Sequence, residues 1–330
     1  MKTILNRLFN NYNLSKNEAK NILIDFAKGK YNASQMAAFL TVFQMRPITL
    51  PELQGFREGM LELCVDIQLE VDRSIDLCGT GGDGKNTFNI STLASFVLAG
   101  AGYKVTKHGN YGVSSSVGSS NILEFLGYQF SNDEKKLNQE LKTAGICFLH
   151  APVFHPAMKN IAPVRKEMAV KTFFNLLGPM VNPTQPSHQL IGVFNLEIAR
   201  MYHYIYQDSG KKYMILHSLD GYDEVSLTGD CRLYSNDGET TISPSHFREK
   251  PIDPALIHGG TTKEKAAEIF LSVLKNESSP AQKSVVLANA SLAIQNMEPQ
   301  ASFQECLAIA REAIEKGRAY NVFAKLMNNQ

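Results

Sequence analysis

This sequence has no cysteine pairs, no excess of charge of either sign and no long apolar run, and each absence closes off a class of protein. Its five cysteines (Cys64, Cys78, Cys147, Cys231, Cys306) are widely spaced, odd in number and include no C-x-x-C pair. That argues against a disulfide framework or a structural zinc site and fits a reducing compartment. Lysine and arginine total 33 against 32 acidic residues, a net charge of +1. The chain as a whole therefore lacks the basic field that a nucleic-acid binder needs, although local clusters can still hold anions. No stretch reaches the ~18 uninterrupted apolar residues of a membrane-spanning helix, so no membrane partner is expected. The opening MKTILNRLFNNYN breaks its apolar run at Asn6 and Arg7, too early for a signal peptide. No fixed-period repeat or low-complexity tract is present. The expectation is a cytoplasmic chain of 330 residues, 44% hydrophobic, with enough core for more than one compact unit.

Residues 1 to about 70 read as helices alone. Ser15 and Glu18 form a capping-box pattern ahead of Ala19, Ile22, Leu23 and Phe26, with a stop at Gly29. A second helix, ASQMAAFLTVFQM (33–45), is more apolar than a small helical unit needs, so either the rest of the chain or a second subunit must cover it. Thr49, Pro51 and Glu52 start a third. From about residue 73 strands alternate with helices. The stretch 74–110 reads as strand, glycine-rich loop, helix and strand; 146–152, 188–194, 211–218 and 284–290 read as further strands, and 131–144, 196–209, 262–275 and 302–317 as helices. That alternation implies an α/β fold with a mostly parallel central sheet. The segment 230–256 reads as an antiparallel hairpin insert turning at Asp237-Gly238. We therefore divide the chain into a small all-helical N-terminal domain, 1–72, and a large α/β domain, 73–330.

In an α/β sheet the ligand crevice lies beyond the carboxyl ends of the strands, which directs attention to the loops that follow them. The first is Gly79-Thr-Gly-Gly82-Asp83-Gly-Lys85, running on to Asn86, Thr87, Asn89, Ile90, Ser91 and Thr92. Four glycines in six residues let the backbone approach a ligand and turn N–H groups inward. Asn89 or Ser91 can cap the following helix, whose N-terminus favours anions. Neither Walker-loop nor dinucleotide-fingerprint spacing is met, and a plain strand-to-helix turn is the bland alternative. Asp83 suits neither that turn nor simple phosphate binding; it could accept ribose hydroxyls or sit near a cation. The second loop, Lys107-His108-Gly109-Asn110-Tyr111-Gly112-Val113-Ser114-Ser115 through Ser119, again offers hydroxyls and an ammonium to phosphate oxygens, or is merely a flexible Ser/Gly turn. The third, Asp220-Gly-Tyr-Asp223-Glu224, places adjacent carboxylates at a strand end, an oxygen set for Mg²⁺ or merely a solvated acidic turn. The fourth contains Arg165, which could clamp a carboxylate with two hydrogen bonds or simply lie on a helix surface.

Together these segments resemble the anthranilate phosphoribosyltransferase family. The resemblance rests on Gly79-Thr-Gly-Gly-Asp83, Asn89-Ile-Ser-Thr92, Lys107-His-Gly-Asn110, Gly118-Ser119, His155-Pro-Ala-Met158, Ala162-Pro-Val-Arg165, Asn175-Leu-Leu-Gly-Pro179 and Asp220-Gly-Tyr-Asp-Glu224, in that order along nearly the whole chain. It includes the helical start and a VVLANA-type strand near the end. It implies a helical domain that dimerises, part of 165–185 packed on that domain, and an active site in the cleft between two domains. It implies a magnesium-dependent transfer of the phosphoribosyl group of 5-phosphoribosyl 1-diphosphate to anthranilate. Gly79, Gly82, Asp83, Thr87, Asn89, Ile90, Ser91, Thr92, Lys107 through Ser115 and Ser119 would hold the donor. Ser91, Asp223 and Glu224 would ligate the metal, while Gly79, Asn110 and Arg165 would face anthranilate. Asp83, His108, Asn110 and Arg165 form the expected catalytic set, in which His108 either relays the amine proton or is a structural imidazole. The sequence departs from the family pattern at Tyr111, Ser116 and Asn121, losing two cations and an acid. A nucleoside phosphorylase would share the architecture but lack the acidic pair and the Lys107–Asn110 segment as written here.

Overall fold

The computed structural model describes residues 1–112 and 117–328, which form two compact units, Met1–Asp66 with Ala151–Pro183, and Ile67–His150 with Thr184–Gln330.

The first unit is helical, with helices Lys2–Phe9, Lys16–Ala27, Ala33–Met45 and Leu50–Glu62 joined by Ala162–Met168 from the 151–183 segment. Local sequence sets their ends. Ser15 and Glu18, Asn32 and Gln35, and Thr49 and Glu52 all close reciprocal capping boxes, which satisfy amides that the first helical turn leaves open. Gly29 ends the second helix at φ +68°, a left-handed value that glycine adopts without steric cost. One face of the very apolar Ala33–Met45 helix is covered within this unit. Phe39 and Phe43 lie 6.4 and 5.1 Å from Phe173, which stacks on Phe56 at 4.2 Å. Phe173 belongs to the 151–183 segment, so that segment covers the Phe39 and Phe43 face of the helix, while Met45 at its end stays exposed.

The second unit is built on a seven-stranded sheet in the order β3-β2-β1-β4-β5-β6-β7. Its strands are β1 (Ile75–Gly79), β2 (Val105–Gly109), β3 (Ile146–His150), β4 (His188–Gly192), β5 (Lys212–Ser218), β6 (Cys231–Ser235) and β7 (Gly238–Ile242). The first five are mutually parallel and the last two antiparallel. The expected hairpin is β6–β7, turning at Asn236-Asp237 with Gly238 at φ +110°. β1 continues to β2 on one side and pairs with β4 on the other, in the register Gly79↔Gly192. The strand order therefore reverses between β1 and β4, where an open α/β sheet forms its ligand crevice.

One expected element is different. Residues 284–290, read as a strand, lie inside the helix Pro280–Met297, which starts on a Ser279–Gln282 capping box. This helix is buried almost all round from Val285 to Ile294, so it has no polar stripe. A short, mostly apolar run such as SVVLANA carries no periodicity that separates helix from strand. Among the described residues no helix is long and apolar enough to cross a membrane.

Candidate active site

The glycine-rich loop begins where β1 ends. Gly81, Gly82 and Gly84 all have positive φ, as does Asn86 at +49°, and Thr80 N–H ties the loop to Gly192 O at 2.9 Å. The helix Ile90–Gly100 follows, with Asn89 at its N-cap position but with no side-chain cap from it. Asn89 instead donates its Nδ2 to Val117 O at 3.1 Å. The capping acceptor comes from elsewhere in the chain, since Ser91 N–H donates to Glu224 Oε1 at 2.9 Å. The expected local cap by Asn89 or Ser91 is thus replaced by a distant carboxylate, which also meets the helix dipole better than a hydroxyl does. The neighbouring carboxylate behaves likewise, and Gly81 N–H donates to Asp223 Oδ2 at 2.8 Å.

Asp223 and Glu224 thereby join the glycine-rich loop. One cavity is lined by Cys78, Gly79, Ser91, Gly192, Asp223 and Glu224, among others. Two glycines make room for the pair. A Cβ on Gly79 would stand 2.5 Å from Asp223 Oδ2, and one on Gly192 would overlap Asp223 O at 1.5 Å. Burial pushes both carboxyls above the usual range. For Asp223 the charge of Asp83 adds to burial, and for Glu224 that of Asp223 does. The Gly81 and Ser91 amides, and for Glu224 the Lys107 ammonium, pull the other way. Asp83 itself accepts from Lys85 N–H at 3.1 Å, and the Lys85 ammonium sits 4.7 Å over the Tyr222 ring. Two buried carboxylates with a third close by make a site that a divalent cation would relieve. Among the described residues no three His, Cys, Asp or Glu side chains gather in a metal-holding arrangement. Two carboxyls alone are a donor set of the kind that Mg²⁺ sites complete with phosphate and water.

The second loop leaves β2. Lys107 and His108 are both 2% exposed, and as consecutive strand residues they point to opposite faces of the sheet. Lys107 Nζ donates to Leu77 O on β1, and His108 N–H donates to Asp76 Oδ1 at 3.1 Å. Past Gly109 the chain turns on itself. Ser119 Oγ–H and Ser120 N–H both donate to Asn110 O at 3.2 Å, and Asn110 Oδ1 accepts from Tyr111 N–H at 2.8 Å. Two of the departures from the family pattern hold this loop. Asn121 Oδ1 accepts from Gly112 N–H at 2.9 Å and from Gly118 N–H at 3.0 Å. Tyr111 donates its hydroxyl to Glu124 Oε1 at 2.9 Å and sets its ring edge-on to His150, 4.8 Å away. Val113, Ser114, Ser115 and Ser116 lie outside the described residues.

Arg165 belongs to the helical unit, on the helix Ala162–Met168. Its guanidinium lies 5.1 Å over the Phe174 ring, and Nη2 is 3.5 Å from Asn175 Oδ1. Burial lowers its pKa, yet an arginine keeps its charge. The result is a half-buried fork set over an aromatic face, a preorganised donor for a planar carboxylate. Sequence reasoning missed Gly192, which stands in no glycine-rich motif and matters only because Asp223 crosses β4 there. It also missed the segment 257–260, which backs the first loop.

Known proteins resemble this chain along its whole length. The glycosyl transferase family helical bundle domain matches residues 2–64, and the glycosyl transferase family a/b domain matches residues 71–320. The anthranilate phosphoribosyltransferase of Flavobacterium johnsoniae is 57% identical over 326 residues, 99% of this chain and 98% of that one. The chain belongs to the anthranilate phosphoribosyltransferase family. It is accordingly an enzyme of the pentosyltransferase class. The crystal structure of an anthranilate phosphoribosyltransferase from Thermus thermophilus superimposes with a TM-score of 0.90 at 30% identity, covering 98% of both chains. A Saccharomyces cerevisiae member of the family, solved in complex with PRPP and Mg, shares the fold with a TM-score of 0.88 at 24% identity, covering 96% of this chain and 93% of that one.

Proposed function

We propose that the chain transfers the phosphoribosyl group of 5-phosphoribosyl 1-diphosphate to the amine of anthranilate, releasing diphosphate, as a step of tryptophan biosynthesis. The observation that carries this reading is the cavity at the carboxyl ends of β1 and β4, which Gly79 and Ser91 share with Asp223 and Glu224. Two stretches far apart in sequence, 79–91 and 223–224, line it together, and their amides, hydroxyl and carboxylates are of the kind that suits a metal-bearing diphosphate.

In this reading Gly79, Gly82, Asp83, Thr87, Asn89, Ile90, Ser91 and Thr92 hold the donor. Lys107 through Ser115 and Ser119 complete that grip. Asp223 and Glu224, with Ser91, hold Mg²⁺; when bound, the cation neutralises charge that develops on the departing diphosphate. The rest of the work falls to the chain. The amides of the glycine-rich loop and the N-terminus of the Ile90–Gly100 helix stabilise the same leaving group. Arg165 orients anthranilate through its carboxylate, and Asn110 faces the acceptor from the second loop. The amine of anthranilate is uncharged at neutral pH and needs little activation, so no covalent nucleophile is required. The ribose passes through a transition state of oxocarbenium character, and catalysis rests on orientation and on leaving-group stabilisation. His108, almost wholly buried, either relays the amine proton or is a structural imidazole.

We further place the enzyme in the cytoplasm as a homodimer through its helical unit. All five cysteines are free thiols, in keeping with a reducing compartment. Phe9, Tyr12 and Met45 of the helical unit are 61%, 63% and 85% exposed, apolar surface of the kind a subunit contact covers.

Mixing the purified protein with anthranilate, 5-phosphoribosyl 1-diphosphate and Mg²⁺ tests the main reading. Anthranilate fluorescence should fall only when all three are present. An unchanged signal at saturating donor and metal would refute the proposal.

A further inference from the structure

The glycine-rich loop is backed by a stretch that no motif singled out, Ile257-His258-Gly259-Gly260. Thr87 pairs with His258 in an isolated antiparallel bridge. Phe88 N–H donates to Ile257 O at 3.3 Å, and Gly259 N–H donates to Asn86 O at 2.8 Å. Asn86 adds its side chain, donating Nδ2 to Gly260 O at 2.9 Å and standing 3.1 Å from His258 Nε2. His258 Nδ1 accepts from Gly260 N–H at 3.1 Å. Phe88 and Ile257, 3% and 1% exposed, sink both strands of this clasp into the core.

Two features show that the approach is tight. A Cβ built on Gly259 would lie 2.6 Å from Thr87 O and 2.9 Å from Phe88 N. Both are backbone atoms, which cannot swing aside as a side chain can. Asn86 holds φ +49°, a left-handed conformation that costs an L-residue on the order of 1 kcal/mol and persists where the surroundings over-determine it. The contacts to Gly259 and Gly260 provide that determination. They fix the residues between the glycines of the loop and the first turn of the Ile90–Gly100 helix, where Thr87, Asn89 and Ser91 emerge.

We infer that Ile257–Gly260 is a positioning element for the phosphoribosyl donor, with Gly259 and Asn86 as positioning residues that hold Thr87 and the helix N-terminus in the geometry the diphosphate meets. This inference rests on the proposed function, since it takes the glycine-rich loop to be the donor site. The clasp grips residues 86–88, on the donor-facing part of that loop, and not Gly79, Asn110 or Arg165, which face the acceptor in that reading. Its loss is therefore a selective loss.

The test is steady-state kinetics of Gly259→Ala and Asn86→Gly beside the wild type, varying each substrate separately, with the thermal midpoint of each protein recorded. Asn86→Gly keeps the left-handed backbone free of steric cost while removing the side-chain contacts, so it carries the test if Gly259→Ala fails to fold. The donor KM should rise about tenfold or more while the anthranilate KM changes less than about twofold, the scale expected when a binding loop shifts by a fraction of an ångström. Unchanged donor KM in the folded variants, or an equal rise for both substrates, overturns the inference. A wild type that consumes no donor would instead overturn the proposed function, so the two failures read differently.

Discussion

Replacing Asp223 by Asn together with Glu224 by Gln should lower turnover by about 10²- to 10³-fold, the scale seen when preorganised leaving-group stabilisation is removed. The amide variants are chosen because Gly81 N–H and Ser91 N–H use these carboxylates as acceptors. Alanine would leave two amides unmet at a cost of about 1–3 kcal/mol each and confuse catalysis with folding. Asn and Gln keep an acceptor oxygen and discard only the charge. The same substitutions should remove the response of the fold to metal. Burial, and then neighbouring carboxylates, raise both carboxyls in the folded state, so the folded chain retains protons that the unfolded chain has already released. Without a cation, stability then falls as pH rises from the ordinary carboxylate range through the raised values. Mg²⁺ binds the deprotonated pair and reverses that loss. Its effect on the thermal midpoint should therefore be larger near pH ~8.5 than near pH ~5.5 in the wild type, and absent in the double variant. Full turnover of the double variant at saturating Mg²⁺ would end the metal assignment.

Arg165→Ala should raise the anthranilate KM by about 10- to 100-fold, the range that one lost charge-assisted, two-pronged contact to a carboxylate represents. The donor KM should move far less. The guanidinium is already laid on Phe174, with Asn175 at 3.5 Å, so little side-chain freedom is lost when a ligand arrives, and removal of the fork costs nearly its full contribution. Arg165→Lys should fall between the two, because an ammonium keeps the charge without the planar pair of donors. Equal effects on both substrates would make Arg165 a structural residue. Burial against Phe174 also predicts some loss of thermal stability in Arg165→Ala, and the KM split separates that loss from recognition.

Much of this architecture is legible in the residues themselves. Ser15–Glu18 and Thr49–Glu52 announce helix starts because capping is local chemistry, and the parallel strands show as apolar runs broken by turn residues. The loops after β1, β2 and β5 were legible because glycine, hydroxyl and acid clusters at strand ends have few structural uses. What stayed hidden is long-range. The 284–290 run is a helix because neighbours bury it on every side, and its own pattern cannot express that. Glu224 caps the Ile90–Gly100 helix from 133 residues away, so the nearby Asn89 and Ser91 looked like the caps. Gly192 and Gly259 matter for the backbone that crosses them, and a single glycine in sequence does not reveal what lies above it. Tyr111 and Asn121 read as losses of charge, yet each closes a contact of the second loop.

A structure of the enzyme with 5-phosphoribosyl 1-diphosphate and Mg²⁺ bound decides the matter most directly. One diphosphate should be met on one side by amides of the 79–92 stretch and on the other by a cation seated on Asp223 and Glu224. A donor bound in some other pocket, or a cation remote from its phosphates, would contradict the convergence on which the reading depends.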